Sequence, residues 1–428
     1  MFNRKQLAAL VALGALAPIT AVHAQDVCAR TRNLKAAGTA GPVNPAEVCR
    51  VLSVLAADSL EGRGTGTRGG EKAARFIAAE FKAAGLEPAG DKGTYLQSVP
   101  AVIATRGTRT GAMAVASFAD RDTFPAERRL IAYNVVGILR GSDPVLKDSV
   151  ILVDAHYDHL GIRHDGGVDV DSMRAWTAAA TPIETERDAW IRSSGINARA
   201  GRRGGTLPDS IRAKLDAFTT RLANLRVNMD SIRRVHPTPR RDSIYNGADD
   251  DAAGTTAVIE IAKQLARGPR PKRTIVFAAT TGEEVGLIGT NWYIKHPAMP
   301  LASMEANLEI EMIGRPDSLA GGPGRAWLTG FERSTMGDMF AKAGLAVVPD
   351  KRLDQQFFQR SDNIAFARMG IPAHTLSSFN LHTDYHQVTD EVSAVDFAHM
   401  AGVINTGVKA MNLLANGPAP KWNAGGKP

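Results

Sequence analysis

The chain has 428 residues, 44% hydrophobic and 22% charged, the balance of a globular protein with room for one large α/β domain or two medium ones. Its two cysteines, Cys28 and Cys49, are too few for a cysteine metal site, and neither lies near a plausible base in sequence; in an oxidising compartment they could close one loop as a disulfide. The net charge of +7 is uneven: residues 162–241 hold 15 Lys/Arg against 9 Asp/Glu, interleaved and with few aromatics, a pattern that argues against nucleic acid.

In chain order, Arg4 and Lys5 precede an apolar run that Pro18 interrupts, and Val22-His23-Ala24 follows. This is the pattern of a secretory signal peptide over residues 1–24, with cleavage expected after Ala24 and the product exported to periplasm or medium. No later segment is apolar enough to span a bilayer, so no integral membrane segment is expected in the mature chain. "PAEVCRVLSVLAADSLEG" and "GGEKAARFIAAEFKAAGLEP" read as amphipathic helices. Between them "GRGTGTRGG" fits the glycine spacing of a dinucleotide loop but follows a helical pattern rather than a strand, so it reads as a flexible connector.

Residues 95–135 carry a weak pattern of short strands and turns. The alternation of an α/β protein with a mainly parallel central sheet then begins. The expected strands are Val150–Val153, Thr274–Ala278, "NLEIEMIGR" and "GIPAHTL"; "DAAGTTAVIEIAKQLARG" and "VDFAHMAGVINTGVKAMNLLA" are helical. Residues 162–244 break the alternation with two helix-like segments, around Glu184 to Arg199 and Pro208 to Arg234. They read as a helical insertion, either a solvated surface or a basic lid that steers acidic substrates or touches an anionic surface. Residues 25–161 and 245–415 then form the two parts of one domain, and 416–428 reads as a disordered tail.

Ligands in an open parallel sheet bind beyond the carboxyl ends of the strands. His156, Asp158 and His159 sit just past one strand, and Glu283 and Glu284 just past another. Glu309 and Glu311 lie at the end of a third, Asp249–Asp251 open a helix, and His382 and His386 follow the last strand. Carboxylates and imidazoles from five loops would converge where only bound cations offset their repulsion. Imidazoles and carboxylates without thiolates suit zinc, or manganese or cobalt in its place, and the surplus of carboxylates suggests a pair of ions sharing a bridging carboxylate.

"AHYDHLG", "NGADDDAAG", "GEEVGLIGT", "EMIGR" and "YHQVTDE", in this order, resemble the zinc-dependent aminopeptidases of the M28 peptidase family. "LAADSLEGRGTGTRGGEKAARFIAAEFKAAGLEPAG" and "SDNIAFARMGIPA" resemble its bacterial exported members. The resemblance spans most of residues 50–410 outside the insertion and implies a mixed, mainly parallel sheet flanked by helices, as in zinc exopeptidases. It implies two zinc ions and peptide substrates. His156 would bind one zinc, oriented by Asp158, Asp250 would bridge both, and Glu284 and His386 would complete the other. Glu283 would be the general base. Glu311 stands where the family commonly has Asp, with Glu309 two residues earlier as its rival. Tyr385 would donate to the developing oxyanion or pack against the site. The resemblance also implies a cis peptide bond after Asp250. His382 is read as supporting or structural, His159 as packing near its turn, and Asp390 as a brace for His386 or a turn. The function implied is release of N-terminal residues. A carboxypeptidase, a dipeptidase, a glutaminyl-cyclase-like enzyme and a non-catalytic receptor-like ectodomain are the alternatives on this scaffold.

Overall fold

A computed structural model of the chain describes residues 24–106, 109–194 and 208–428. The expected signal segment therefore lies, apart from Ala24, outside the described residues. A ten-stranded mixed sheet forms the centre. Its middle is four parallel strands in the order Ala373–Ser377, Met304–Glu311, Val150–His156 and Thr274–Thr280. Antiparallel strands extend it beyond Thr274–Thr280, beginning with Arg129–Leu139 and Leu96–Arg106. On the other side Ala326–Leu328 pairs antiparallel with Ala373–Ser377.

All seven residues of Val150–His156 and of Thr274–Thr280 are buried. Parallel strands covered on both faces read as continuous apolar runs for this reason. Side chains still alternate: Ile151, Val153, Ile275 and Phe277 pack with helices Pro45–Leu55, Arg68–Ala83, Ala252–Arg267 and Phe397–Asn416. Val150, Leu152, Val276 and Ala278 pack with Tyr293, Ile364 and Phe366 on the opposite face. Helix Ala252–Arg267 is buried at 13 of its 16 residues. Gly254 permits this, because a Cβ there would collide with the carbonyl of Ile310. Lys263 on the same helix ties the layer together, its Nζ lying 2.9 Å from Glu47, 2.7 Å from Glu80 and 2.8 Å from Glu260.

The segment between His159 and Asn246 leaves and rejoins the domain on a narrow stem. Gly161–Ile162 pairs with Ile244–Tyr245, and Val168–Asp169 with Arg241–Asp242. Above it are helices Val170–Ser193, Asp209–Ala223 and Met229–Val235. The second expected helix is thus split, with Asn224 capping one piece and Asn228 starting the next. Cys28 and Cys49 form a disulfide, closing the loop ahead of helix Pro45–Leu55. No helix among the described residues is long and apolar enough to cross a membrane.

Two expectations are corrected here. "GRGTGTRGG" is a packed clamp rather than a flexible connector: Arg63 is 0% exposed and Gly64 bridges to His159. The end of the chain is not a disordered tail either. Trp422 donates its indole N–H to Gly370 O at 2.8 Å, with its ring centroid 5.7 Å from that of His374 and 6.4 Å from that of Phe358. Lys421 exchanges hydrogen bonds with Thr335. One large aromatic with a satisfied N–H anchors a segment that is otherwise polar and glycine-rich. Trp422→Ala is expected to destabilise the fold by about 2 kcal/mol, below the range for a fully buried aromatic because the ring is partly exposed. An unchanged urea midpoint would show that the tail does not dock in solution.

Candidate active site and metal centre

The register of the parallel strands brings the chemistry to one edge. Thr280 lies opposite His156, and Glu309 opposite Asp154, so the loops after these strands open side by side. Asp251 caps helix Ala252–Arg267 by accepting from Gly254 N at 2.8 Å, which places Asp250 at the helix entry. The bond between Asp250 and Asp251 is cis.

Among the described residues, two groups of side chains could hold a metal ion: His156, Asp250 and Glu311, and His159, Asp250 and Glu284. Asp250 is common to both. His156 Nε2 is 3.4 Å from Asp250 Oδ1. On the other side His386 Nε2 is 3.0 Å from Asp250 Oδ2 and 3.2 Å from Glu284 Oε2. His159 Nδ1 is 2.7 Å from Glu284 Oε1 and 3.8 Å from Asp250 Oδ2. His156 Nε2, both ring nitrogens of His159, Asp250 Oδ2 and Glu284 Oε1 are buried without a hydrogen-bond partner. Buried polar atoms are normally satisfied, and these orphans, on residues of the two groups that share Asp250, have the donor set zinc takes.

The charge balance agrees. Burial raises Glu311 to about 8, with Glu309 adding repulsion. Burial opposes charge on His386, yet Asp250 and Glu284 hold it up at about 10. Burial also works against Asp250, but His156, His159 and His386 keep its carboxyl well below the usual range. The residues thus compensate one another only by charging imidazoles, and cations among them remove that need.

The supporting shell is more extensive than the sequence suggests. Asp249 accepts from Gly314 N at 2.6 Å and pairs with His382 Nε2 at 2.9 Å. Asp251 accepts from Met312 N at 2.9 Å, tying the triplet to the strand that ends in Glu311. Asp390 accepts from the backbone N–H of Asp249 and Asp250, so it braces the triplet rather than His386. Asp158 accepts from Thr65 Oγ1 at 2.7 Å and Glu283 N at 3.1 Å. His156 Nδ1 lies 3.1 Å from the Asp158 carbonyl and 3.8 Å from its carboxylate. Arg63 donates to the carbonyls of Leu55, Tyr157, Asn246 and Gly247, pinning the His156 and Asp250 loops together.

Glu309, the rival to Glu311, is fully engaged: it accepts from Ser361 Oγ, Asp362 N, Asn363 N and Thr375 Oγ1. Glu283 belongs to neither metal-holding group. It lines a cavity together with Asp250, Glu311 and Tyr385. The structure therefore brings together His156, Asp158, Asp250, Glu283, Glu284, Glu311, Tyr385 and His386. Sequence reasoning under-read His159, which lies among the donors rather than merely packing at its turn; its spacing of three from His156 past one strand was the available signal. Arg63 and the Arg360 that lines the cavity carried no local signal.

Residues 229–410 match the pattern of Peptidase family M28. Leupeptin-inactivating enzyme 1 of Streptomyces exfoliatus is 32% identical over 143 residues, 32% of this chain and 31% of that protein. Aminopeptidase YwaD of Bacillus subtilis is 32% identical over 110 residues, 24% of each chain. The matched stretches thus span about a third or less of these relatives. Among solved structures, an aminopeptidase from Aneurinibacillus sp. strain AM-1 superposes with a TM-score of 0.51 at 13% identity, covering 93% of this chain and 97% of that one. BSAP, a zinc aminopeptidase from Bacillus subtilis, gives 0.50 at 13% identity, covering 88% and 96%. With this sheet and the donor cluster on its carboxyl edge, residues 229–410 are similar to peptidase family M28.

Proposed function

We propose that the chain is an exported two-zinc metallopeptidase that releases N-terminal residues from peptides, with manganese or cobalt able to substitute. The observation that carries this reading is the sharing of Asp250 by two metal-holding groups beside a buried carboxylate, Glu283, that belongs to neither. His156, Asp250 and Glu311 would hold one ion, and Asp250, Glu284 and His386 the other, with His159 beside the second. Such ions supply Lewis-acid polarisation of a scissile carbonyl and make water acidic near neutral pH. Similarity to an aminopeptidase supports the exopeptidase assignment. The Cys28–Cys49 disulfide supports export.

Glu283 would take the proton from the attacking water and pass it to the leaving amine. Burial, reinforced by Glu311 and opposed by His156, pushes its carboxyl well above the ordinary range. Its ionised form, the one a base needs, is favoured by positive charge at the neighbouring donors. Tyr385 would donate its O–H to the carbonyl oxygen as charge develops there. Burial and the nearby Asp250 raise the phenol, so it stays a donor throughout the working pH range. Asp158 links the His156 loop to the Glu283 backbone and would hold base and ligand in mutual register.

The direct test measures zinc per chain and hydrolysis of matched peptides with free or acetylated N-termini and free or amidated C-termini. Two zinc ions and cleavage that requires the free amine are expected; cleavage that instead requires the free C-terminal carboxylate would assign a carboxypeptidase. Two variants separate the roles. Glu283→Gln is expected to lower kcat at least a thousandfold while retaining two metal ions, whereas His159→Ala is expected to lose part of one equivalent of metal. Metal loss in Glu283→Gln would make that residue a ligand.

The basic excursion on its β stem is proposed to cover the site. Replacing residues 170–240 with a short turn is expected to leave zinc content unchanged and to raise activity on longer peptides relative to dipeptides. Identical length profiles before and after replacement would make the excursion structural only.

A further inference from the structure

Resting on the aminopeptidase reading, we propose that the cavity beside Glu283 selects an N-terminal residue with a carboxylate side chain, bound through Arg360. The cavity has aromatic walls, Trp327, Phe357, Phe379 and Tyr385, that by themselves suit an apolar side chain. Arg360 changes that chemistry. Its guanidinium carbon lies 5.1 Å from the Phe357 ring centroid, and its Nη2 reaches the Tyr385 oxygen only at 3.5 Å. Two other buried or half-buried arginines of this domain are paired with carboxylates, Arg352 with Asp317 at 2.6 Å and Arg315 with Asp384 at 2.7 Å. Arg360 has no carboxylate within 4 Å among the described residues.

An independent observation points the same way. Trp327 also lines the cavity, is 3% exposed, and its indole N–H has no acceptor in the protein. The nearby hydroxyls direct their protons elsewhere. Thr375 Oγ1 donates to Glu309 at 2.8 Å and Ser377 Oγ to the Met312 carbonyl at 3.2 Å. Glu311, on the same wall, belongs to a metal-holding group. Apart from Asp250, Glu283 and Glu311, which also line it, the cavity therefore offers an arginine and an indole N–H with no carboxylate partner. An apolar side chain filling it would leave a guanidinium and an indole N–H desolvated, which is costly. A glutamyl or aspartyl side chain would pair its carboxylate with Arg360 and lay its methylenes on the aromatic rings.

The test compares kcat/KM on glutamyl-, glutaminyl-, aspartyl-, leucyl- and phenylalanyl-p-nitroanilide. Anilides carry no α-carboxylate at the scissile end, so a preference among them reports on the side chain and not on a peptide C-terminus. Wild-type protein is expected to favour glutamyl over its near-isostere glutaminyl tenfold or more. Arg360→Met is expected to bring that ratio close to one, and Arg360→Lys to preserve part of it. A merely structural Arg360, stacked on Phe357 and steadying Tyr385, would lower rates on all substrates alike and leave the ratio unmoved, which would overturn the inference. So would a wild-type preference for leucyl or phenylalanyl anilide, a result readable even if the variants fail to fold and one that leaves the aminopeptidase reading standing. No hydrolysis of any free-amine anilide would remove that reading and this inference with it.

Discussion

A concentration of acid at one edge of the sheet is the constraint that the rest of the molecule serves. Asp249, Asp250 and Asp251 are consecutive, and Glu283, Glu284 and Glu311 arrive beside them from two other strands. Left unmatched in a low-dielectric interior, these charges would cost several kcal/mol each. The protein discharges them unequally. Asp249 is matched by His382 and a backbone N–H. Asp251 spends one oxygen on two backbone donors, one on its own helix and one on the strand that ends at Glu311. Asp250 is flanked by the imidazoles of His156, His159 and His386, and ring nitrogens of the first two have no hydrogen-bond partner. The middle acid of the triplet is thereby kept for cations, and its neighbours hold it in place.

Holding such a cluster requires an unyielding frame, and the frame is built from long-range polar contacts rather than from loop length. Arg63 is the clearest case. It is buried among four carbonyl acceptors on three separate segments, and burial pulls its pKa down to about 10 despite Asp390 and Asp250 nearby. Its planar fork suits this multi-point role in a way an ammonium would not. Glu309 does the corresponding work beneath the site, accepting four hydrogen bonds that seat the start of helix Asn363–Arg368 against the strand. Two glutamates two residues apart on one strand thus share a face and differ in task. One anchors the scaffold, and the other is left free for chemistry.

The cavity and the insertion draw largely on parts of the chain other than those that carry the donor cluster. The donor cluster depends on strand ends and one helix entry, which the parallel register brings together. The cavity wall draws on later segments: the strand Ala326–Leu328, the turn holding Phe357 and Arg360, and the loop through Phe379 and Tyr385. The excursion after His159 attaches by short ladders, and its described residues contribute none of the metal-holding side chains. The excursion's described residues can vary while the cluster is preserved, whereas the loop through Phe379 and Tyr385 also carries His382 and His386 and so helps set its geometry.

The amino-acid order alone determined the parallel strands, whose doubly buried runs from Val150 and Thr274 have few other readings, and the identity of most of the chemistry-bearing residues just past them. It also placed Glu311 ahead of Glu309, although the reason, the saturation of Glu309 by Ser361, Thr375 and two backbone N–H groups, is visible only in three dimensions. His159 joining the donors, Arg63 pinning two loops, Arg360 entering an aromatic cavity and Trp422 fastening the last residues were decided by tertiary structure. Each depends on partners far along the chain, such as Asn246 for Arg63 and Gly370 for Trp422. Periodicity reports which face of an element is buried; it carries no record of which distant carbonyl, ring or carboxylate folding will bring against a given side chain.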